Sequence, residues 1–210
     1  MTHKSISEEI LLDYAVGALS PATAALVEGS YQIRPERRAL LSSLEALAAG
    51  AIESAPPARV STGASEALIA AGPQRVEPTG NLDLVAVPPA ISRLFPEGPE
   101  ALQWKRLWPG LDVMRSPVAD AASLIRAKPG SRLPLHSHDG QELTLVLSGA
   151  FNDGADRYAR GDVAVAGPDD EHELQIEEEG ECLCFIAVEG DLRLSGPMGA
   201  VLSFVGLGKF

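Results

Sequence analysis

The chain has 210 residues and a formal net charge of −12 at pH 7. That length fits one or two domains. A surface so negative repels phosphates, which excludes a generic nucleic-acid binder but leaves a DNA-related role exercised through a protein partner. Hydrophobic residues reach 45%, enough for a real core, while aromatics are only 5%, so alanine-rich helices are expected in part of the chain. No stretch of about 20 uninterrupted apolar residues is present, so no membrane span is expected. The opening MTHKSISEEILL carries acidic residues where a signal peptide needs an apolar run. A cytoplasmic protein is expected. Two cysteines, Cys182 and Cys184, give no disulfide framework.

The first 54 residues read as helix. Ser5 stands three residues before Glu8, the spacing of a capping box. Ile10, Leu11, Tyr14 and Ala15 follow at helical spacing, and Gly17 marks the stop. Ser20 before Pro21 gives a sharper start, a capping hydroxyl ahead of a proline at the first helical position. Ala24, Leu26 and Val27 form the apolar side of that second helix. A third begins near Pro35, runs through Leu40, Leu41, Leu44 and Leu47, and ends around Gly50. Three short helices have a marginal core on their own and gain from a partner or a metal.

Residues 55–80 form a linker rich in turn chemistry (APPAR, TGAS, EPTG), within which SEALIAAG can make a short docking helix. From residue 81 to 210 the period changes to two. LDLVAV, ASLIRA, LTLVL, DVAVA and CLCFIAV are strand-like runs between turn residues. Many short strands over this length predict a β-barrel or sandwich. Exposed strand edges need covering, so a homodimer is a reasonable expectation.

PLHSHDGQELTLVLSG holds the chemistry. His136 and His138 are two apart, which on a strand puts both imidazoles on one face. Glu142 follows after the break at Asp139-Gly140, and His172 lies in a separate segment, GPDDEHEL. Three imidazoles and a carboxylate suit Zn, Fe, Mn, Ni or Cu, and ligand type alone does not choose among them. The ordinary alternative is a set of surface histidines. The spacing of Gly130, His136, His138, Glu142 and Gly149 resembles the first cupin motif throughout. Gly161 and His172 match the spacing of the second. Gly167, Asp169 and Ile176 depart from that second motif at positions that bear no ligand. The resemblance covers about residues 82–205. It implies an RmlC-like jelly-roll barrel with one divalent metal, zinc foremost, on His136, His138, Glu142 and His172.

The linear order resembles the ChrR-type anti-sigma factors: helical domain, linker, then a monocupin containing ELTLVLSGAFNDGADRYARGDV. EEILLDYAVGALSPATAALVEGSY, Glu8 to Tyr31, resembles the start of their anti-sigma domain. The resemblance implies an α+β two-domain chain. Its helices would sequester an alternative, extracytoplasmic-function sigma factor, and its cupin would take part in a stress-type signal response. One departure is serious. Aligned to the zinc-binding form of that helical domain, Ser30 stands at a histidine place and Arg34 and Arg37 at the two cysteine places. Ser5 or Lys4 stands before the first helix, with His3 nearby but isolated. No zinc is expected in the N-terminal half, so any signal would enter through the cupin.

A second function class stays open: a metal-dependent cupin enzyme, dioxygenase-like, with a vestigial N-terminal domain. No general base stands out beyond the ligands. Arg115, Arg126, Asp162 and the acidic trio Asp169, Asp170 and Glu171 could line a mouth, though the trio reads more simply as a solvated loop. Cys182 and Cys184 are two apart, so their thiols share a strand face with Ile186. The strand repeat keeps such side chains too far apart for an easy bridge. They read as small core residues or, if they face the interior near His172, as possible redox-sensitive or pocket-lining groups.

Overall fold

Ser7, not Ser5, caps the first helix, α1 (Glu8–Ala15), accepting from the Ile10 N–H at 3.3 Å. Glu8 is therefore the first helical residue and cannot close a capping box. With Glu9 it instead places negative charge in the first turn, where the helix dipole favours it. The computed structural model describes residues 5–57, 63, 66, 87–96, 103–168, 170–190 and 192–194. SEALIAAG and most of LDLVAV lie outside the described residues.

The second helix follows its expected signals. α2 (Pro21–Ile33) has Ser20 as N-cap, with Oγ 3.3 Å from the Thr23 N–H, and Pro21 at its first position. It is buried almost all round, through Ala22, Thr23, Ala25, Leu26, Val27, Gly29, Ser30 and Tyr31. A helix apolar on every side needs packing partners on every side. A short 3-10 turn (Pro35–Arg37) leads into α3 (Ala39–Ser54), which runs one turn past the expected stop at Gly50. After the undescribed segment comes a single turn, α4 (Pro89–Ser92).

Eleven strands follow among the described residues: β1 (Lys105–Trp108), β2 (Leu111–Arg115), β3 (Ala122–Ala127), β4 (Arg132–His138), β5 (Glu142–Ser148), β6 (Ala150–Asp153), β7 (Asp156–Ala159), β8 (Val163–Ala166), β9 (His172–Ile176), β10 (Cys182–Val188) and β11 (Leu192–Leu194). They form two antiparallel sheets, in orders β1-β2-β3-β10-β5-β8 and β11-β4-β9-β6-β7. Leu111, Val146, Phe151, Tyr158, Leu174 and Ile176 fill the space between them. Gly149 turns the chain from β5 to β6 at φ +71°, a region only glycine enters freely.

The six-stranded sheet is covered on its outer face as well. Leu143, Leu145 and Leu147 of β5, Val163 and Val165 of β8, and Leu183 and Phe185 of β10 join one continuous core with Ile10, Leu11, Leu26, Val27, Tyr31 and Leu41 of the helices. Leu26, Leu41, Leu145 and Phe185 are fully buried, each contributing about 1.5–3 kcal/mol of transfer free energy. The partner that three marginal helices require is therefore the barrel itself. This explains why CLCFIAV is apolar at every position, and LTLVL at every position but Thr144, instead of alternating: both faces of these strands are buried.

Candidate metal centre

The sheet register assembles the four candidate ligands. β4 and β9 are adjacent antiparallel strands, and His136 stands directly opposite His172. His138 lies two residues along β4 on the same face. Glu142 opens β5, across the turn at Asp139–Gln141. One ligand atom from each of His136, His138, Glu142 and His172 lies within 4.8 Å of all the others, and all four residues are buried. His138 Nε2 is 3.2 Å from His172 Nε2 and 3.0 Å from Glu142 Oε2.

The surrounding groups fix these side chains. His136 Nδ1 is 2.8 Å from the Pro134 carbonyl, and His172 Nδ1 is 3.3 Å from Asp153 Oδ2. Each contact leaves the ring's Nε2 aimed at the cluster, the arrangement that orients a metal-binding imidazole. Thr144 donates to Glu142 Oε1 at 2.9 Å. Burial pushes the pKa of both His136 and His138 down to about 4, helped in each case by the neighbouring His172. Both rings are thus neutral at pH 7, the form that coordinates. Burial also opposes charge on His172, but the hydrogen bond that it donates to Asp153 and the Glu142 carboxylate outweigh it and raise its pKa.

The residues fit a divalent cation. His136 Nε2 is buried and finds no hydrogen-bond partner among the described residues, a costly state unless something else accepts its lone pair. Three nitrogens and one oxygen would supply four protein donors to such an ion. The adjoining interior cavity is about 20 Å³ and is lined by Leu111, Leu133, Thr144, Phe151 and Cys184 among others. That holds about one water, far below the roughly 300–1,000 Å³ of a substrate pocket.

The other sequence candidates go elsewhere. Asp162 takes Arg37 at 3.2 Å and Arg34 at 3.8 Å. Arg126 pairs with Asp112 at 3.3 Å and lies over the Trp104 ring. Arg115 is exposed at the end of β2. Asp170 caps the loop before β9 by accepting from the Gly167 N–H. Glu171 is exposed, while Asp169 is outside the described residues. Cys182 and Cys184 are buried free thiols on the interior face, with Ile186 beside them. Their sulfurs converge to 3.6 Å, much closer than the strand repeat suggests. Hydrogen bonding to Cys182 and burial push the Cys184 thiol well above its usual range. Sequence reasoning missed Asp153 and Thr144. Asp153 precedes a glycine turn and reads as turn chemistry; only the pairing of β6 with β9 brings it to His172.

Comparison with known proteins extends the picture beyond the barrel. The ChrR Cupin-like domain family matches residues 97–190. Over 195 residues, 90% of this chain and 91% of the relative, the sequence is 30% identical to the anti-sigma-E factor ChrR of Cereibacter sphaeroides. The chain belongs to the ChrR anti-sigma factor family. A structure in that family, Rhodobacter sphaeroides SigE in complex with the anti-sigma ChrR, matches with a TM-score of 0.68 at 29% identity, covering 89% of this chain and 99% of the other. At the positions where the family resemblance would place N-terminal zinc ligands, Ser30 donates to the Val27 carbonyl, and Arg34 and Arg37 reach the barrel.

Proposed function

We propose that this protein is an anti-sigma factor-like transcription regulator. Its helices bind an extracytoplasmic-function sigma factor, and its cupin senses a signal through a bound metal. The similarity to a ChrR chain in complex with SigE, spanning 89% of this chain, carries the reading. Residues 1–54 are the sigma-binding unit, 55–80 the linker and 81–210 the sensor barrel. Leu12, Val16, Leu40, Leu47 and Ile52 of the helices are exposed, which gives a partner apolar surface to cover. No described helix is long and apolar enough to cross a membrane, and the protein acts in the cytoplasm.

Zinc is the proposed metal, held by His136, His138, Glu142 and His172. Four buried protein donors beside a cavity of one-water size support a sensing or structural ion over a catalytic one. The N-terminal half holds no zinc of its own. Co-expression with the extracytoplasmic-function sigma factors of the source organism tests the reading. One of them is expected to co-purify stoichiometrically with the full chain, and retention of none of them would overturn it.

A further inference from the structure

We propose that the seam between α2 and β5 carries metal occupancy from the barrel to the helices, with Arg34 and Arg37 holding that seam in register by gripping the turn between β7 and β8. This rests on the metal and anti-sigma reading above.

Strand β5 has two functional faces. Glu142 and Thr144 point inward, Thr144 holding the Glu142 carboxylate at 2.9 Å. Leu143, Leu145 and Leu147 point outward into the core shared with the helices. Helix α2 faces this strand at Gly29. A Cβ there would stand 3.5 Å from Leu145 Cδ2 and only 2.8 Å from Ile91 Cδ1. One peptide bond therefore separates the residue that positions a metal ligand from the residue that touches α2. β5 is paired on both sides, with β10 and with β8. It cannot adjust Glu142 freely, and a close-packed core passes the displacement on.

The arginines bind the same strand indirectly. Arg34 Nε donates to the Arg160 carbonyl at 3.1 Å, and Arg37 donates to Asp162 Oδ1 at 3.2 Å. The turn they grip is fastened to β5. The Gly161 N–H donates to the Val146 carbonyl at 2.8 Å, and the Val146 N–H donates to the Asp162 carbonyl at 3.1 Å. Arg160 also donates to the Leu147 carbonyl. Gly161, at φ +82°, lies directly under Arg34, and any Cβ there would come within 2.6 Å of the arginine side chain. Two guanidinium groups thus hold the end of α2 against a backbone anchored one residue from Leu145. They stand at the two positions where the family resemblance would place cysteines, and they face the barrel.

Hydrogen–deuterium exchange on the full chain, metal-free and zinc-loaded, tests this alongside zinc stoichiometry on the same samples. In the wild type, zinc is expected to slow exchange severalfold across Pro21–Ile33 as well as in β4, β5 and β9. In Arg34→Ala/Arg37→Ala, zinc should bind with unchanged stoichiometry and protect the barrel strands only. The proposal is overturned if zinc leaves the wild-type helices unchanged, or if it protects them equally in the variant. Should the wild type bind no zinc, the metal reading and the coupling fall together, and the stoichiometry distinguishes that result from loss of coupling alone. Sigma binding is not needed for the readout.

Discussion

His172 touches Asp153 through one ring nitrogen and the candidate metal cluster through the other: Nδ1 lies 3.3 Å from Asp153 Oδ2, and Nε2 lies 3.2 Å from His138 Nε2. The carboxylate thereby selects the tautomer that leaves Nε2 free to coordinate. Asp153→Asn removes the charge while keeping the size. Its zinc affinity is expected to fall about 10–100-fold with all four ligands in place. Competition against a chromophoric chelator measures it. An unchanged affinity would mean that the strand pairing alone orients the ring.

Removing a ligand should have a larger effect. His136→Ala and His172→Ala each take one of four donors, and both variants are expected to lose most bound zinc after gel filtration. Glu142→Gln keeps the shape and the Thr144 contact but removes the only negative charge among the four ligands, and should behave in the same way. Metal content by mass spectrometry is the check. Full stoichiometry in both histidine variants would show that the ion sits elsewhere.

The shared core makes a thermodynamic prediction. Leu26 is fully buried between the helices and the outer sheet. Leu26→Ala should cost about 2–5 kcal/mol and should destabilise barrel and helices together. In urea, helical circular dichroism and the fluorescence of Trp104 and Trp108 are expected to report one coincident transition in the wild type. Separate transitions would show that the helices fold independently of the sheet that covers them.

Why the metal cluster was legible in the sequence while this core was not follows from where each signal lies. His136, His138 and Glu142 sit within seven residues around one turn, so local spacing nearly places them. His172 required a motif, because only the β4–β9 register brings it opposite His136. Helix starts at Ser20-Pro21 were readable for the same local reason. At the first helix two serines compete for the cap, and the three-residue spacing to Glu8 favoured the wrong one. The docking of helices on sheet has no local spacing at all. Its trace was the apolar run of CLCFIAV and the nearly apolar LTLVL, which the period-two reading recognised as strand without asking what covers the second face. Strands β1, β2, β6, β7, β9 and β11 were not among the runs read as strand; in β1 and β7 exposed or turn-flanked residues, such as Lys105, Arg106 and Asp156, mask the alternation.

The thiols offer a cheap test of the interior. Cys182 and Cys184 are 1% and 7% exposed, and the Cys184 thiol is held well above its usual range by its neighbour and by burial. Thiolate, not thiol, is the reactive form. Neither cysteine should react with a disulfide reagent in the folded, zinc-loaded protein at pH 7, while both react once it is unfolded. Rapid stoichiometric labelling of the native chain would mean that the strand β10 interior opens to solvent.

Alkaline pH probes the helical core. The chain has three tyrosines. Burial and the Glu28 carboxylate, which accepts from the Tyr14 hydroxyl at 2.8 Å, raise Tyr14 from 10.0 to about 12. Burial, aided by nearby acidic groups, takes Tyr158 to about 12 as well, and burial also raises Tyr31. Each folded pKa lies above the unfolded one, so the protonated phenols favour the folded state fully below pH 10 or so. That stability is lost as pH rises from about 10 through 12, because the unfolded chain releases protons that the native chain retains. Absorbance at the tyrosinate band should therefore rise near pH 10 in urea but later in the folded protein, with urea midpoints falling over the same window. Glu28→Gln should move the Tyr14 component back toward 10, since it removes the charge that opposes phenolate formation. A native titration centred at 10 in the wild type would place the tyrosines in solvent and contradict the packing of Tyr14 and Tyr31 in the helices and of Tyr158 between the sheets.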